Sequence, residues 1–195
     1  MPGQATNPMS DPKSYLTKEQ IRLLIDGCER SRDRLLLKFL SRTGRRISEV
    51  VRRLKVSDID FEKGLVNFTI LKRKVPTTSL LPIDRALLEE LKEYTKNMKQ
   101  DQIIWHISRQ RVDQILKTVS KNIGLEHIGT GKHNKVHAHL FRHSFAIHGA
   151  KALTNPADLV QLKNMLCHAR IDTTMFYLRF NPMEQRKLLE EMWGE

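Results

Sequence analysis

From Tyr15 onward the apolar positions fall first at helical spacing. Ile21, Leu24, Ile25 and Cys28 recur every three or four residues. Thr17, with Gln20 three residues later, fits the reciprocal capping box that starts such a helix. A second apolar stretch, Leu35-Leu36-Leu37-Lys38-Phe39-Leu40, is flanked by arginines and runs to Thr43-Gly44, where a glycine suits the end of a helix. Ser48-Glu49 opens a short third helix through Val50, Val51 and Leu54. The period then changes. Ile59, Phe61, Leu65, Val66, Phe68 and Ile70 alternate or cluster around the turn signal Lys63-Gly64. The basic segment Lys72-Arg73-Lys74 leads through Pro76-Thr77-Thr78 to Leu80-Leu81-Pro82-Ile83, which predicts one small antiparallel sheet with a lysine-bearing turn.

Helical period resumes from Asp84 with Leu87, Leu88, Leu91 and Tyr94. Ile103-Ile104-Trp105 predicts a further short strand, and Ser108 caps a helix carrying Val112, Ile115, Leu116 and Val119. The stretch 124–135 reads as loop. Helices are expected at about 139–151, 156–166, 172–178 and 182–193, with Asn155-Pro156 as a cap followed by the favoured first-turn proline. The fold class is therefore α+β, mostly α-helical with a small antiparallel β-sheet.

Composition narrows the picture. A chain of 195 residues with 39% hydrophobic content suits one domain with a sizeable core. Residues 1–14, with Pro2, Pro8, Pro12 and Gly3, read as a flexible tail before a domain at 15–195. No apolar run approaches the roughly 18 residues of a membrane span, and no apolar segment follows Met1 as in a signal peptide. Cys28 and Cys167 fit neither a disulfide framework nor a zinc knuckle, so a soluble, reducing compartment, the cytoplasm, is expected. The 34 Lys and Arg against 22 Asp and Glu give a formal charge of +12, which points to a polyanion, most simply nucleic acid.

Four groups of residues carry candidate chemistry. In Thr43-Gly44-Arg45-Arg46-Ile47-Ser48-Glu49-Val50, an arginine after a glycine turn and before a helix can aim its guanidinium at a phosphate. Alone, such a residue is an ordinary surface cation. In His139-Leu140-Phe141-Arg142-His143 the spacing puts His139, Arg142 and His143 on one helix face, where an imidazole and a guanidinium can meet one oxyanion. Five of the eight histidines lie between His133 and His148. No acidic or cysteine ligand accompanies them and Arg142 would repel a divalent ion, so no metal site is expected. His133 and His137 read as loop or phosphate-contacting residues, and His148 as facing solvent. The third group, Leu166-Cys167-His168-Ala169-Arg170-Ile171-Asp172-Thr173-Thr174-Met175-Phe176-Tyr177, sets a histidine nine residues before a tyrosine whose phenol could attack phosphorus. The fourth is the hairpin pair Lys72 and Lys74.

Together these strings resemble the catalytic domain of the tyrosine recombinase (phage-integrase type) family, marked by T-G-x-R-x-S-E-L, a hairpin lysine, H-x-L-R-H-x-F-A, and L-G-H followed by T-T-x-x-Y. The chain reads TGRRISEV at 43–50, HLFRHSFA at 139–146 and LCHARIDTTMFY at 166–177, in the same order. The resemblance covers about residues 15–195 and implies that family's catalytic-domain fold. It places Arg46 and Arg142 at the two arginine positions, His139 three before the second, His168 at the histidine-or-tryptophan position and Tyr177 at the nucleophile. Lys74 fits the commonest hairpin spacing, and Lys72 fits a turn two residues longer. Cys167 stands where glycine is usual, so some strain is expected in that loop.

The implied reaction is attack of Tyr177 on a DNA phosphodiester, giving a 3′-phosphotyrosyl bond and a free 5′-hydroxyl, with neither ATP nor metal as cofactor. Two guanidinium forks and His168 would stabilise the phosphate, the lysine would protonate the leaving oxygen, and His139 would either accept the phenolic proton or donate to the phosphate. Double-stranded DNA is the expected partner, with a homo-oligomer (a tetramer) on DNA and a monomer in solution. Arg42, Arg45, Arg52, Arg53, Lys132, Lys135 and His143 are the expected backbone-gripping residues. The family's N-terminal clamp domain has no counterpart in this stretch, which suits either a piece of a longer enzyme or a minimal one with weak, salt-dependent binding. The helix at 182–193, with Leu188, Leu189, Met192 and Trp193, suits equally packing on its own core or passage to a neighbouring subunit. Type IB topoisomerase-like relaxation and a catalytically silent DNA-binding protein are the alternatives.

Overall fold

Thr17 starts the first helix by the reciprocal bonds its sequence offers. Its hydroxyl accepts from the Gln20 N–H at 3.1 Å, and the Gln20 side chain accepts from the Thr17 N–H at 2.9 Å. The computed structural model describes residues 15–70, 77–128, 135–153 and 155–167. Within them the helices are α1 (Lys18–Asp26), α2 (Ser31–Thr43), α3 (Ile47–Val50), α4 (Arg85–Thr95), α5 (Arg109–Asn122), α6 (Ala138–Lys151) and α7 (Pro156–Leu166). Asp84, Ser108 and Asn155 cap α4, α5 and α7 through their side chains. The expected tail at 1–14, the Lys72-Arg73-Lys74 turn, most of the loop before Lys135, and the helices expected at 172–178 and 182–193 lie outside the described residues.

Between α3 and α4 runs the one sheet of the described residues, antiparallel in the order β1 (Ile59–Asp60), β2 (Leu65–Ile70), β3 (Thr77–Pro82). Gly64 makes the first turn at φ +65°. Along β2, Val66, Phe68 and Ile70 point into the core while Asn67 and Thr69 face solvent, the alternation a half-buried strand requires. Phe68 pairs with Ser79 on β3. The fold is thus helical with one small antiparallel sheet, as its pattern predicts.

The strand expected at Ile103-Ile104-Trp105 does not form. Ile103 makes a single bridge to Lys55, and Trp105 is a fully buried core residue. Its ring meets Phe39 at 5.0 Å, and Phe39 in turn meets Phe68 at 6.0 Å, so helix α2 is seated on the sheet through aromatic contacts. The apolar run is a core plug whose backbone bonds back to the segment after α3: Ile104 N–H to Leu54 O, and Arg52 N–H to Trp105 O.

Helix α2 ends at Gly44, which takes φ +60° and returns its N–H to Leu40 O at 3.1 Å. A Cβ there would stand 2.5 Å from Phe145 Cδ1, so only glycine lets this turn close on α6. Helix α6 is also held by the incoming chain. Leu16 N–H donates to Ser144 Oγ at 2.8 Å, and His148 Nε2 bonds Leu16 O at 2.9 Å while its ring meets Tyr15 edge-on. His148, expected to face solvent, is a half-buried packing residue. Among the described residues no helix is long and apolar enough to cross a membrane.

Candidate active site

The segment Gly44-Arg45-Arg46 leaves α2 in a left-handed turn and reaches α3 with Arg46 extended at its N-cap. Glu49, fully enclosed on α3, accepts from Arg46 Nη1 at 3.0 Å and from the Arg46 N–H at 3.3 Å. A buried carboxylate needs a charged or hydrogen-bonding partner, and here the partner is the candidate phosphate-binding arginine itself. The Arg46 side chain keeps 20% of its surface exposed, so it is aimed yet reachable. Glu49 is a positioning residue that sequence reasoning missed, although an acid three residues after a helix start is a readable signal.

Arg142 arrives from the first turns of α6 and is only 4% exposed. Its Nη1 donates to Gly44 O at 2.8 Å and its Nη2 to Leu166 O. One planar fork therefore joins three separate segments: the turn before Arg46, the helix bearing His139, and the end of α7 just before His168. A lysine at this point could not make both bonds in one plane.

His139 keeps an exposed edge, but partial enclosure of its ring lowers its pKa to about 4. The positive charges of Arg142, His137, His143 and Arg46 add to the shift in that order. The imidazole is therefore neutral at pH 7. Because the folded protein holds this proton more weakly than the unfolded chain, the group withdraws stability as pH falls from about 6.5 towards 4. A bound phosphate would add the opposite charge and raise the pKa again. NMR titration of the imidazole is expected to show an inflection near 4 in the free protein, moving up by about one unit or more with duplex DNA. An inflection near 6.5 without DNA would show that these cations do not surround the ring.

The other expected contacts divide. Lys135 is exposed, and His143 is half-buried on α6. Arg42 is exposed but paired with Asp84, an exchangeable surface contact. Arg52 and Arg53 line a groove with Ser48, Ser108 and Arg109, the last a cation that sequence reasoning did not single out. Arg45 differs: it is 2% exposed and bonded to Cys167 and Ser79, so a backbone-gripping role finds no support in its placement. Lys72, Lys74, Lys132, His133, His168 and Tyr177 lie outside the described residues. Cys28 is a buried thiol whose pKa is pushed up to about 11, mainly by burial. Among the described residues no three His, Cys, Asp or Glu side chains are grouped to hold a metal ion.

Known structures share this fold. The catalytic domain of bacteriophage HP1 integrase matches with a TM-score of 0.64 at 22% identity, over 93% of this chain and 95% of that one. The XerH site-specific recombinase, solved bound to its difH substrate in a pre-cleavage complex, matches with a TM-score of 0.65 at 23% identity, over 85% of this chain and 50% of that one. The fold is that of a tyrosine recombinase catalytic domain. The model of the phage integrase family matches residues 14–184, and the chain belongs to that family. A curated relative, the tyrosine recombinase XerA of Pyrococcus furiosus, is 32% identical over 205 residues, covering 96% of this chain and 66% of the relative. The chain thus spans just under two thirds of that relative's length.

Proposed function

We propose that this chain, as the catalytic domain formed by residues 15–195, cleaves and rejoins strands of double-stranded DNA as a site-specific recombinase or integrase. The observation that carries this reading is the buried Arg142 fork, which gathers the Arg46 turn, the helix bearing His139 and Leu166, two residues before His168 in sequence, around one small region. Family membership supports it, as do the formal charge of +12 and the cationic groove beside α3.

In the proposed reaction the Tyr177 phenolic oxygen bonds to phosphorus as the bond to the 5′-oxygen breaks. The phenolic proton passes to His139, directly or through water, since a neutral imidazole is an acceptor. Arg46, Arg142 and His168 offset charge developing on the non-bridging oxygens. Lys74 or Lys72 protonates the leaving 5′-oxygen. The diester energy remains in the protein–DNA bond, and attack by a 5′-hydroxyl reverses the steps. The cations that stabilise the phosphate belong to the protein. Lys132, Lys135, His143, Arg42, Arg52 and Arg53 would follow the flanking backbone, and a homo-oligomer on DNA would pair two sites.

A nicked suicide duplex, from which the cut fragment diffuses away, tests this directly. The chain is expected to accumulate as a covalent adduct at the DNA 3′ end, equally in buffer and in EDTA. No adduct, an adduct at a 5′ end, or a strict need for a divalent ion in the chemical step would overturn the reading.

A further inference from the structure

Arg45 stands in the turn between α2 and Arg46, yet it is buried like a core residue. Its Cζ lies 4.3 Å from the centroid of Phe68, over the ring face. Its Nη1 donates to Cys167 Sγ at 2.8 Å and its Nη2 to Ser79 Oγ at 3.0 Å, and Cys167 Sγ lies 3.2 Å from the same hydroxyl. Phe68 and Ser79 are opposite one another on β2 and β3. Three side chains from three segments thus form one closed contact around a buried guanidinium that, among the described residues, has no carboxylate at its fork.

Cys167 is also the residue that closes α7. It takes φ +50°, ψ +42°, a conformation that glycine adopts freely and a side-chain-bearing residue does not. A thiol here carries a conformational cost relative to glycine, and what it gains is the bond to Arg45 and the contact with Ser79. The carbonyl one residue earlier, Leu166 O, is held by Arg142. The end of α7 is therefore gripped from two sides, and the next residue in sequence is His168. β3, on the opposite flank, follows directly after the segment that holds Lys72 and Lys74.

We propose that Arg45 is a positioning residue: through Cys167 and Ser79 it fixes the turn that presents His168 and ties it to the strand that follows the hairpin lysine. The inference rests on the recombinase reading for its consequence in catalysis, but not for the contact itself. Misplacing a group that meets the transferring phosphate by a fraction of an ångström slows a reaction steeply without loosening binding.

The test compares Arg45→Leu, the double change Arg45→Leu with Cys167→Gly, and Ser79→Ala, which trims one hydroxyl from a partly exposed strand position. Amide hydrogen exchange across residues 164–170 reads the contact whether or not the chain cuts DNA. Exchange is expected to quicken in Arg45→Leu and Ser79→Ala and to slow again in the double change, where glycine accepts the left-handed turn unaided. On the nicked suicide duplex at saturating protein, the single-turnover rate constant is expected to fall roughly tenfold to hundredfold in Arg45→Leu, with DNA affinity within about twofold, and to recover at least partly in the double change. A loss of folded protein alone would lower the amplitude and leave the rate constant in place. Unchanged exchange in both Arg45→Leu and Ser79→Ala overturns the proposal. So does an unchanged rate constant in Arg45→Leu when the unsubstituted chain forms adduct. Absence of adduct from the unsubstituted chain would instead count against the recombinase reading, leaving the exchange data to judge the contact.

Discussion

Tyr177→Phe is expected to abolish the covalent protein–DNA adduct and to lower strand cleavage by at least about 10⁴-fold, the scale on which losing a covalent nucleophile acts. The change removes one oxygen, and no other tyrosine is placed to replace it. The chain has three tyrosines, Tyr15, Tyr94 and Tyr177. Tyr15 packs on His148, and its hydroxyl accepts from Lys151 Nζ at 2.7 Å. That is the far end of α6, nine residues from His139 and so about 13 Å away along the axis. Tyr94 lies beside Ser31 and Arg34 at the start of α2, whereas the site lies at the end of that helix. DNA affinity should stay within about threefold, because backbone cations dominate it. Denaturing electrophoresis after incubation with the suicide duplex reads the adduct, and filter binding reads the affinity. An adduct formed by the Phe variant would mean that another group attacks phosphorus.

The local elements were legible because each is signalled by residues close in sequence. Thr17 with Gln20, Gly44, Lys63-Gly64, Asp84, Ser108 and Asn155-Pro156 each act within a few positions, and each takes the role its type suggests. The misread positions depend on what lies across the fold. Ile103-Ile104-Trp105 has the composition of a strand, but the hollow beside Phe39 takes Trp105 as a plug. His148 is a polar residue that the incoming chain at Leu16 covers.

The candidate site follows the same division. Strings of known order could nominate Arg46, His139 and Arg142, but not say what holds them. Glu49 under Arg46 is a contact of three residues' separation that the motif strings pass over, whereas the carbonyls of Gly44 and Leu166 at Arg142 emerge only when segments 98 and 24 residues from Arg142 meet. Arg45 is the clearest case. Two adjacent arginines look alike in sequence, and the irregular turn after Gly44 sends one inward and leaves the other at the surface. Its inward path is possible because Phe68 offers a ring face and Ser79 and Cys167 offer polar atoms. The glycine-to-cysteine departure at 167 and the arginine at 45 are therefore one feature of this chain rather than two.

Arg142→Ala is expected to act on both stability and chemistry, and the two can be separated. Two carbonyls, Gly44 O and Leu166 O, lose a charge-assisted donor in a buried place, which should cost about 2–5 kcal/mol in total, read as a lower midpoint in chemical denaturation. In the folded fraction, single-turnover cleavage should fall by roughly 10³-fold or more: one lost oxyanion donor accounts for about 10²–10³, and loosening of the turns before Arg46 and His168 adds to it. Arg142→Lys retains the charge but not the fork, so it should bind DNA nearly as well and still cleave about 10²-fold more slowly. A third readout ties the arginine to its neighbour. Arg142 is the charge that contributes most to lowering the His139 pKa, so Arg142→Ala should move the imidazole inflection up from about 4, and Arg142→Lys should move it less. If either variant, folded, cleaved within tenfold of the unsubstituted chain, Arg142 would be a structural tie between three segments and not a ligand of the transferring phosphate. The His139 inflection would then shift without any change in rate.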